Sequence, residues 1–214
     1  NLCVKAWQKM VHAFGLGGVS IELEKRIPAG GGLGGGSSNA ATILKGLRKL
    51  YELDVSDDEL ENIGIDLGAD VPFFIKGKTQ IGDGIGEILK PIKTVINGCY
   101  LLVVPDLHID TKWAYGEFKN ILDRPNEIVN FLGFIRKEII PFELFENDFE
   151  AIVVPAYPEI GQIKNSLRVH GARFASLSGS GSTVFGVFDE DADAKSAESH
   201  FSSRYNTFIT NPTL

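Results

Sequence analysis

Residues 27–47 read IPAGGGLGGGSSNAATILKGL. Gly30, Gly31, Gly32, Leu33, Gly34, Gly35 and Gly36 put six glycines into seven residues, and Ser37, Ser38 and Asn39 follow at once. Ala40, Ile43, Leu44, Leu47 and Leu50 then recur on one face at helical spacing. Ser-Ser-Asn reads as the cap of that helix. A helix start presents unpaired N–H groups and about half a positive charge, so it can hold an anion without any basic side chain. Glycines let those amides reach phosphate oxygens unobstructed, and the two serines add hydroxyl donors or meet a metal. A flexible linker would not run directly into a cap and an amphipathic helix.

Two better-known phosphate loops share these letters. Gly30, Gly32 and Gly35 satisfy G-x-G-x-x-G, with Glu52 and Asp54 near the distance of a ribose-binding acid. A dinucleotide unit, however, needs a buried parallel strand before the loop and another after the helix. Here an alternating segment and Pro28 precede the loop, and a second helix follows. A Walker A loop needs Lys before its Ser/Thr, and Gly36-Ser37 has none.

Working outward, Cys3, Trp7, Met10, Val11 and Phe14 mark a first helix that Gly15, Gly17 and Gly18 stop. SIELEKRI, residues 20–27, alternates as a strand with one wet face. Ser56 and Glu59 form the capping box of a further helix. VPFFI, residues 71–75, is expected as a strand, and TQIGDGIGEILKPI as a hairpin around Gly82-Asp83-Gly84. YLLVVP opens a second unit, which sets the domains at 1–96 and 97–214. That unit is expected to run helix from Thr111, helix 131–140, helix 158–169 ended by Gly171, strand 173–177, strand 183–188, helix 191–200 and strand 207–210. Helices over an antiparallel sheet make the class α+β.

The 214 residues are 43% hydrophobic with a net charge of −7, enough to bury one large core or two modest ones. No Lys/Arg cluster has the density of a nucleic-acid footprint, and no apolar run reaches membrane-spanning length. Nucleic acid and membrane are therefore not expected as partners. Cys3 and Cys99 stand alone as small hydrophobes, and His12, His108, His170 and His200 have no metal spacing, so no metal ligand is assigned. Trp7 and Trp113 read as packing residues. The chain opens on Asn1, already in helical rhythm, which is how the C-terminal part of a longer protein would look.

PAGGGLGGGSSNAA, LGADVPFF, ENDFEAIVVPAYPEI and LSGSGSTVFGVF together resemble the GHMP kinases, the family of galactokinase, homoserine, mevalonate and phosphomevalonate kinases. The expanded glycine run is most similar to the branch that phosphorylates a cytidine-diphosphate methylerythritol. The resemblance implies a two-lobed fold: the remainder of a nucleotide-binding N-terminal α/β lobe, then a ferredoxin-like C-terminal lobe. It implies ATP on Gly30 to Asn39 and Mg²⁺ carried mainly by ATP oxygens. It implies Asp70 in GADVP as the base that takes the acceptor's hydroxyl proton. Ser178, Gly179, Ser180 and Gly181 resemble the third family motif, and Thr111 a polar position near the acceptor. By themselves, SGSGS is a tight hairpin, Thr111 a helix N-cap, and Asn147 and Asp148 the cap of the helix that follows.

Family members carry an N-terminal strand whose lysine pairs with the catalytic aspartate, along with cytosine contacts, and none of this precedes Asn1. The polypeptide alone is therefore expected to be inactive. Another GHMP kinase, acting on mevalonate, homoserine or a sugar, and a non-catalytic nucleotide-binding module stay open as alternatives. The resemblance further implies a monomer or homodimer in bacterial cytoplasm or plastid stroma.

Overall fold

The computed structural model describes residues 1–84, 86, 88–92, 97–119, 142 and 145–212. They divide into two compact units: Asn1–Ala29 with Gly34–Lys93, and Gly30–Leu33 with Thr94–Leu214. Half of the glycine run thus belongs to each.

The first unit is built on helices α1 (Leu2–Phe14), α2 (Gly35–Leu50), α3 (Asp57–Ile65) and α4 (Val71–Lys76). Asn1 caps α1 by accepting from the Cys3 amide at 2.9 Å, and Gly15, at φ 65°, ends it in the left-handed turn that glycine adopts without strain. Ala40, Ala41, Leu44 and Leu47 are the buried face of α2 and join Ala6, Met10, Leu60, Val71 and Ile75 in one core. Leu50 is 65% exposed and lies outside it. The capping box at Ser56 and Glu59 is present in full. Strands β1 (Gln80–Asp83) and β2 (Ile88–Pro91) form the expected antiparallel hairpin, the chain reversing after Asp83.

Two expected strands are absent from this unit. Residues 20–27 form no strand, because no segment among the described residues pairs with them, and alternation without a ladder partner is not a sheet. VPFFI is helix, not strand. Pro72 sits in the first turn, where its missing N–H costs nothing, and Val71, Pro72 and Ile75 bury one face of α4. Gly64 permits this packing, since a Cβ there would stand 2.8 Å from Val71 Cγ1. A short apolar run does not distinguish a strand from a buried helix.

The second unit holds a four-stranded antiparallel sheet of β3 (Cys99–Val104), β4 (Phe174–Leu177), β5 (Val184–Phe188) and β6 (Asn206–Thr210), in the order β4-β5-β3-β6. Helices α5 (Thr111–Lys119), α6 (Glu150–Ala156), α7 (Pro158–Val169) and α8 (Asp191–Phe201) complete it. Strand, helices, two strands, helix and strand in this sheet order make a ferredoxin-like topology. Ile160, Ile163 and Leu167 from α7 and Ala194, Ala197 and Phe201 from α8 bury against Leu101, Val103, Ala175, Val184 and Phe188 of the sheet. The helix expected over 131–140 lies outside the described residues.

Candidate functional site

In the first unit the site begins at the start of α2. Gly34 is its N-cap, at φ 62°, and no side chain caps the helix. The expected Ser-Ser-Asn cap is instead the first turn: Ser37, Ser38 and Asn39 lie inside α2, and the Ser38 amide makes the first helical bond, to the Gly34 carbonyl at 2.9 Å. A left-handed residue was needed to turn the chain into the helix, and glycine supplies it more readily than serine does. Gly34 is held to this by packing too, because a Cβ there would stand 2.7 Å from the Phe74 ring. The amides of Gly35, Gly36 and Ser37 are thus left without intrahelical partners, and no acidic side chain occupies the first turn. Such a start is an anion receptor. A cavity of about 300 Å³ beside it is lined by Asn1, Leu2, Lys25, Gly36 and Asn39. Lys25 was not anticipated, because a lone exposed lysine in an irregular segment carries no sequence signal.

Asp70 lies in the same unit. The turn that carries it is set by α3 and α4: the Leu67 amide donates to Gly64 O at 2.9 Å and the Val71 amide to Gly68 O at 3.0 Å. Asp70 is the exposed N-cap of α4, yet its carboxylate makes no capping hydrogen bond. Gly68, two residues earlier, approaches α2 so closely that a Cβ on it would meet the Ser37 hydroxyl at 3.6 Å. The structure therefore brings the Asp70 turn to the open start of α2.

In the second unit Gly30–Leu33 lies against the loop joining β4 to β5. Ser178 Oγ donates to Gly32 O at 2.9 Å, and the Thr183 amide to Gly31 O at 3.2 Å. The loop itself is a tight turn, as expected, closed by Ser178 N to Thr183 O and Gly181 N to Ser178 O, each 2.9 Å. Gly179 and Gly181 take positive φ of 55° and 93°. Ser180 is buried, and its hydroxyl meets that of Thr111 at 3.1 Å. Thr111 is not the helix cap. Asp110 is: its carboxylate accepts from the Trp113 amide at 2.7 Å, which leaves the threonine hydroxyl for Ser180.

Asn147 also departs from expectation. It does not cap α6, whose N-cap is Phe149. Its carboxamide donates to Leu177 O and Gly179 O, both at 2.8 Å, and accepts from the Phe149 amide at 3.0 Å. Among the described residues no three His, Cys, Asp or Glu side chains converge as a metal site, and no helix is long and apolar enough to cross a membrane.

Similarity to known proteins follows the same residues. The GHMP kinases N terminal domain matches residues 1–78, covering the glycine run and Asp70, and the GHMP kinases C terminal domain matches residues 138–207, covering Ser178 to Gly181. A 4-diphosphocytidyl-2-C-methyl-D-erythritol kinase of Chlorobium chlorochromatii is 42% identical, over 98% of this chain and 75% of its own. One from Pelobacter propionicus is 41% identical over 92% of this chain and 70% of its own. The crystal structure of a 4-(cytidine 5'-diphospho)-2C-methyl-D-erythritol kinase superposes with a TM-score of 0.84 at 32% identity, covering 99% of this chain and 77% of that one. A homoserine kinase from Cytophaga hutchinsonii, at 18% identity and a TM-score of 0.77 over 100% of this chain and 76% of its own, shares the fold.

Proposed function

Because the chain belongs to the GHMP kinases, and among them to the 4-diphosphocytidyl-2-C-methyl-D-erythritol kinase family, we propose that it serves the same reaction. The γ-phosphoryl group of ATP passes to the 2-hydroxyl of the methylerythritol part of that conjugate, a step of non-mevalonate isoprenoid synthesis. Relatives near 40% identity over almost the whole chain support this acceptor over mevalonate, homoserine or a sugar.

The observation that carries the assignment is the uncapped start of α2 beside the Asp70 turn. The amides of Gly35, Gly36 and Ser37, with the hydroxyls of Ser37 and Ser38, bind phosphate oxygens, and Gly30–Leu33 completes the glycine run. Lys25, bordering the cavity at Gly36 and Asn39, supplies a positive charge on the same side. Mg²⁺, when bound, would offset phosphate charge, and no side chain of this chain is assigned to hold it. Asp70 accepts the proton of the attacking hydroxyl as that oxygen bonds to phosphorus and the bond to ADP breaks. Its carboxylate is free of capping duty and available for this. Phosphoryl transfer asks of a protein mainly positioning, charge stabilisation and one base. We assign Thr111 to the acceptor side and Ser178, Gly179, Ser180 and Gly181 to the shaping of the glycine run. We assign the family's N-terminal lobe to residues 1–96 and its C-terminal lobe to 97–214, although Gly30–Leu33 groups with the second compact unit, and the bacterial relatives favour a bacterial cytoplasm.

The test is ADP formation by the full-length protein with Mg-ATP and, in parallel, the cytidine conjugate, mevalonate and homoserine. Turnover on the conjugate alone is expected. Turnover on another alcohol alone would overturn the acceptor while keeping the family.

A further inference from the structure

Strand β4 is an edge of the sheet, paired to β5 on one side, so the other side of its last residue, Leu177, needs partners from elsewhere. Two side chains from the Asn147 to Glu150 segment supply them. Leu177 N–H donates to Glu150 Oε1 at 2.8 Å, and Leu177 O accepts from Asn147 Nδ2 at 2.8 Å. Between them they do what a neighbouring strand's backbone would do. Asn147 goes one step further, reaching past Ser178 to the Gly179 carbonyl. Its two donors therefore grip the backbone on either side of Ser178, whose hydroxyl holds Gly32. The Asn147 oxygen is itself fixed by the Phe149 amide, and Glu150 is tied to Lys164 and accepts from Ser176 Oγ at 2.9 Å. Neither side chain is free to swing away.

We propose that Asn147 is a positioning residue for the nucleotide: its carboxamide fixes the Ser178 turn, and through the Ser178 hydroxyl fixes the Gly30–Leu33 half of the glycine run. This rests on the kinase assignment only for naming the nucleotide as what responds. The geometry of the clasp stands apart from it. The chemistry requires a carboxamide, because both targets are carbonyl oxygens while the group's own oxygen takes an N–H. Aspartate has the same shape but presents an oxygen to two carbonyl oxygens, replacing two attractions with two repulsions.

The decisive variant is Asn147→Asp in the full-length protein, with Ser178→Ala as a second variant that cuts the last bond directly and preserves the fold if the first does not. Two readouts are taken: KM for ATP and for the acceptor, and amide hydrogen exchange over residues 30–33. Both variants are expected to raise KM for ATP about tenfold, leave the acceptor KM within twofold, and speed exchange over 30–33. Unchanged exchange would overturn the clasp, and unchanged KM for ATP despite faster exchange would overturn its link to the nucleotide. A parallel rise in both KM values with a lower melting temperature would reduce Asn147 to a structural residue, against the proposal. If the unaltered protein turns over no ATP, the kinase assignment fails, and exchange still decides the clasp.

Discussion

The Ser178 hydroxyl donates to the Gly32 carbonyl at 2.9 Å, joining positions 146 residues apart in the chain. The contact is possible only because residue 32 has no side chain. A Cβ there would stand 2.0 Å from the Ser178 carbonyl oxygen and 2.9 Å from that of Gly181, and φ is +74°. Gly32→Ala should therefore lower stability by more than about 1 kcal/mol and abolish ATP binding. Gly46 is the internal control: it lies within α2 and is exposed, and a Cβ on it meets nothing within 4 Å. Gly46→Ala should raise stability by roughly 0.5–1 kcal/mol and leave ATP affinity alone. Urea midpoints with calorimetric titration of ATP check both.

Asp70→Asn keeps the size of the side chain and removes the base. Turnover is expected to fall by ~10²–10⁴ with KM for ATP near normal, since the lost interaction belongs to the transferred proton and not to the nucleotide. Steady-state kinetics decide it. Unchanged turnover would remove Asp70 from the chemistry.

The Glu59 carboxylate is held below its ordinary value of 4.5, first by the Ser56 amide and then by the Ser56 hydroxyl. Folded Glu59 thus binds fewer protons than unfolded Glu59 as the solution is acidified. Its contribution to stability is complete above pH 4.5 and is lost as the pH falls through the depressed folded value. Glu59→Gln retains an acceptor but does not titrate. Urea unfolding between pH 7 and pH 3 should show wild type more stable at neutral pH, with the two curves converging toward acid. A constant gap would contradict this.

The Cys99 thiol, buried at the start of β3, is pushed up to about 11 by desolvation and then by the Asp191 carboxylate. At pH 8 about one thousandth of it is thiolate, the reactive form. With Cys3→Ala leaving Cys99 as the single thiol, reaction with Ellman's reagent should be at least ~100-fold slower in the native protein than in urea. Equal rates would show that Cys99 is accessible.

Much of the fold was legible because its signals were local. The capping box at Ser56 and Glu59, the left-handed Gly15, and the apolar run of β3 each follow from neighbours within four residues. VPFFI was misassigned because its character as a helix is decided by α2 and α3, with Gly64 making room, and not by its own five letters. The 20–27 segment failed for the converse reason: its alternation was real, but a strand is made by its partner. At the proposed site, glycine density and GADVP picked out the start of α2 and the turn before α4. The division of labour within it was hidden, since Gly34 caps α2 by conformation while Ser37 and Ser38 sit inside the helix. The role of Asn147 depends on Leu177 and Gly179, 30 and 32 residues away, and no local motif could announce it.

The most direct test of the central claim is proton-coupled phosphorus NMR of the product formed by the full-length protein from Mg-ATP and the cytidine-diphosphate methylerythritol. C2 of the methylerythritol unit carries a methyl group and no hydrogen, so a phosphate on the 2-hydroxyl has no three-bond proton partner. A new phosphomonoester signal that remains a singlet is the predicted result; a doublet or triplet, from phosphate on a secondary or primary hydroxyl, would contradict it.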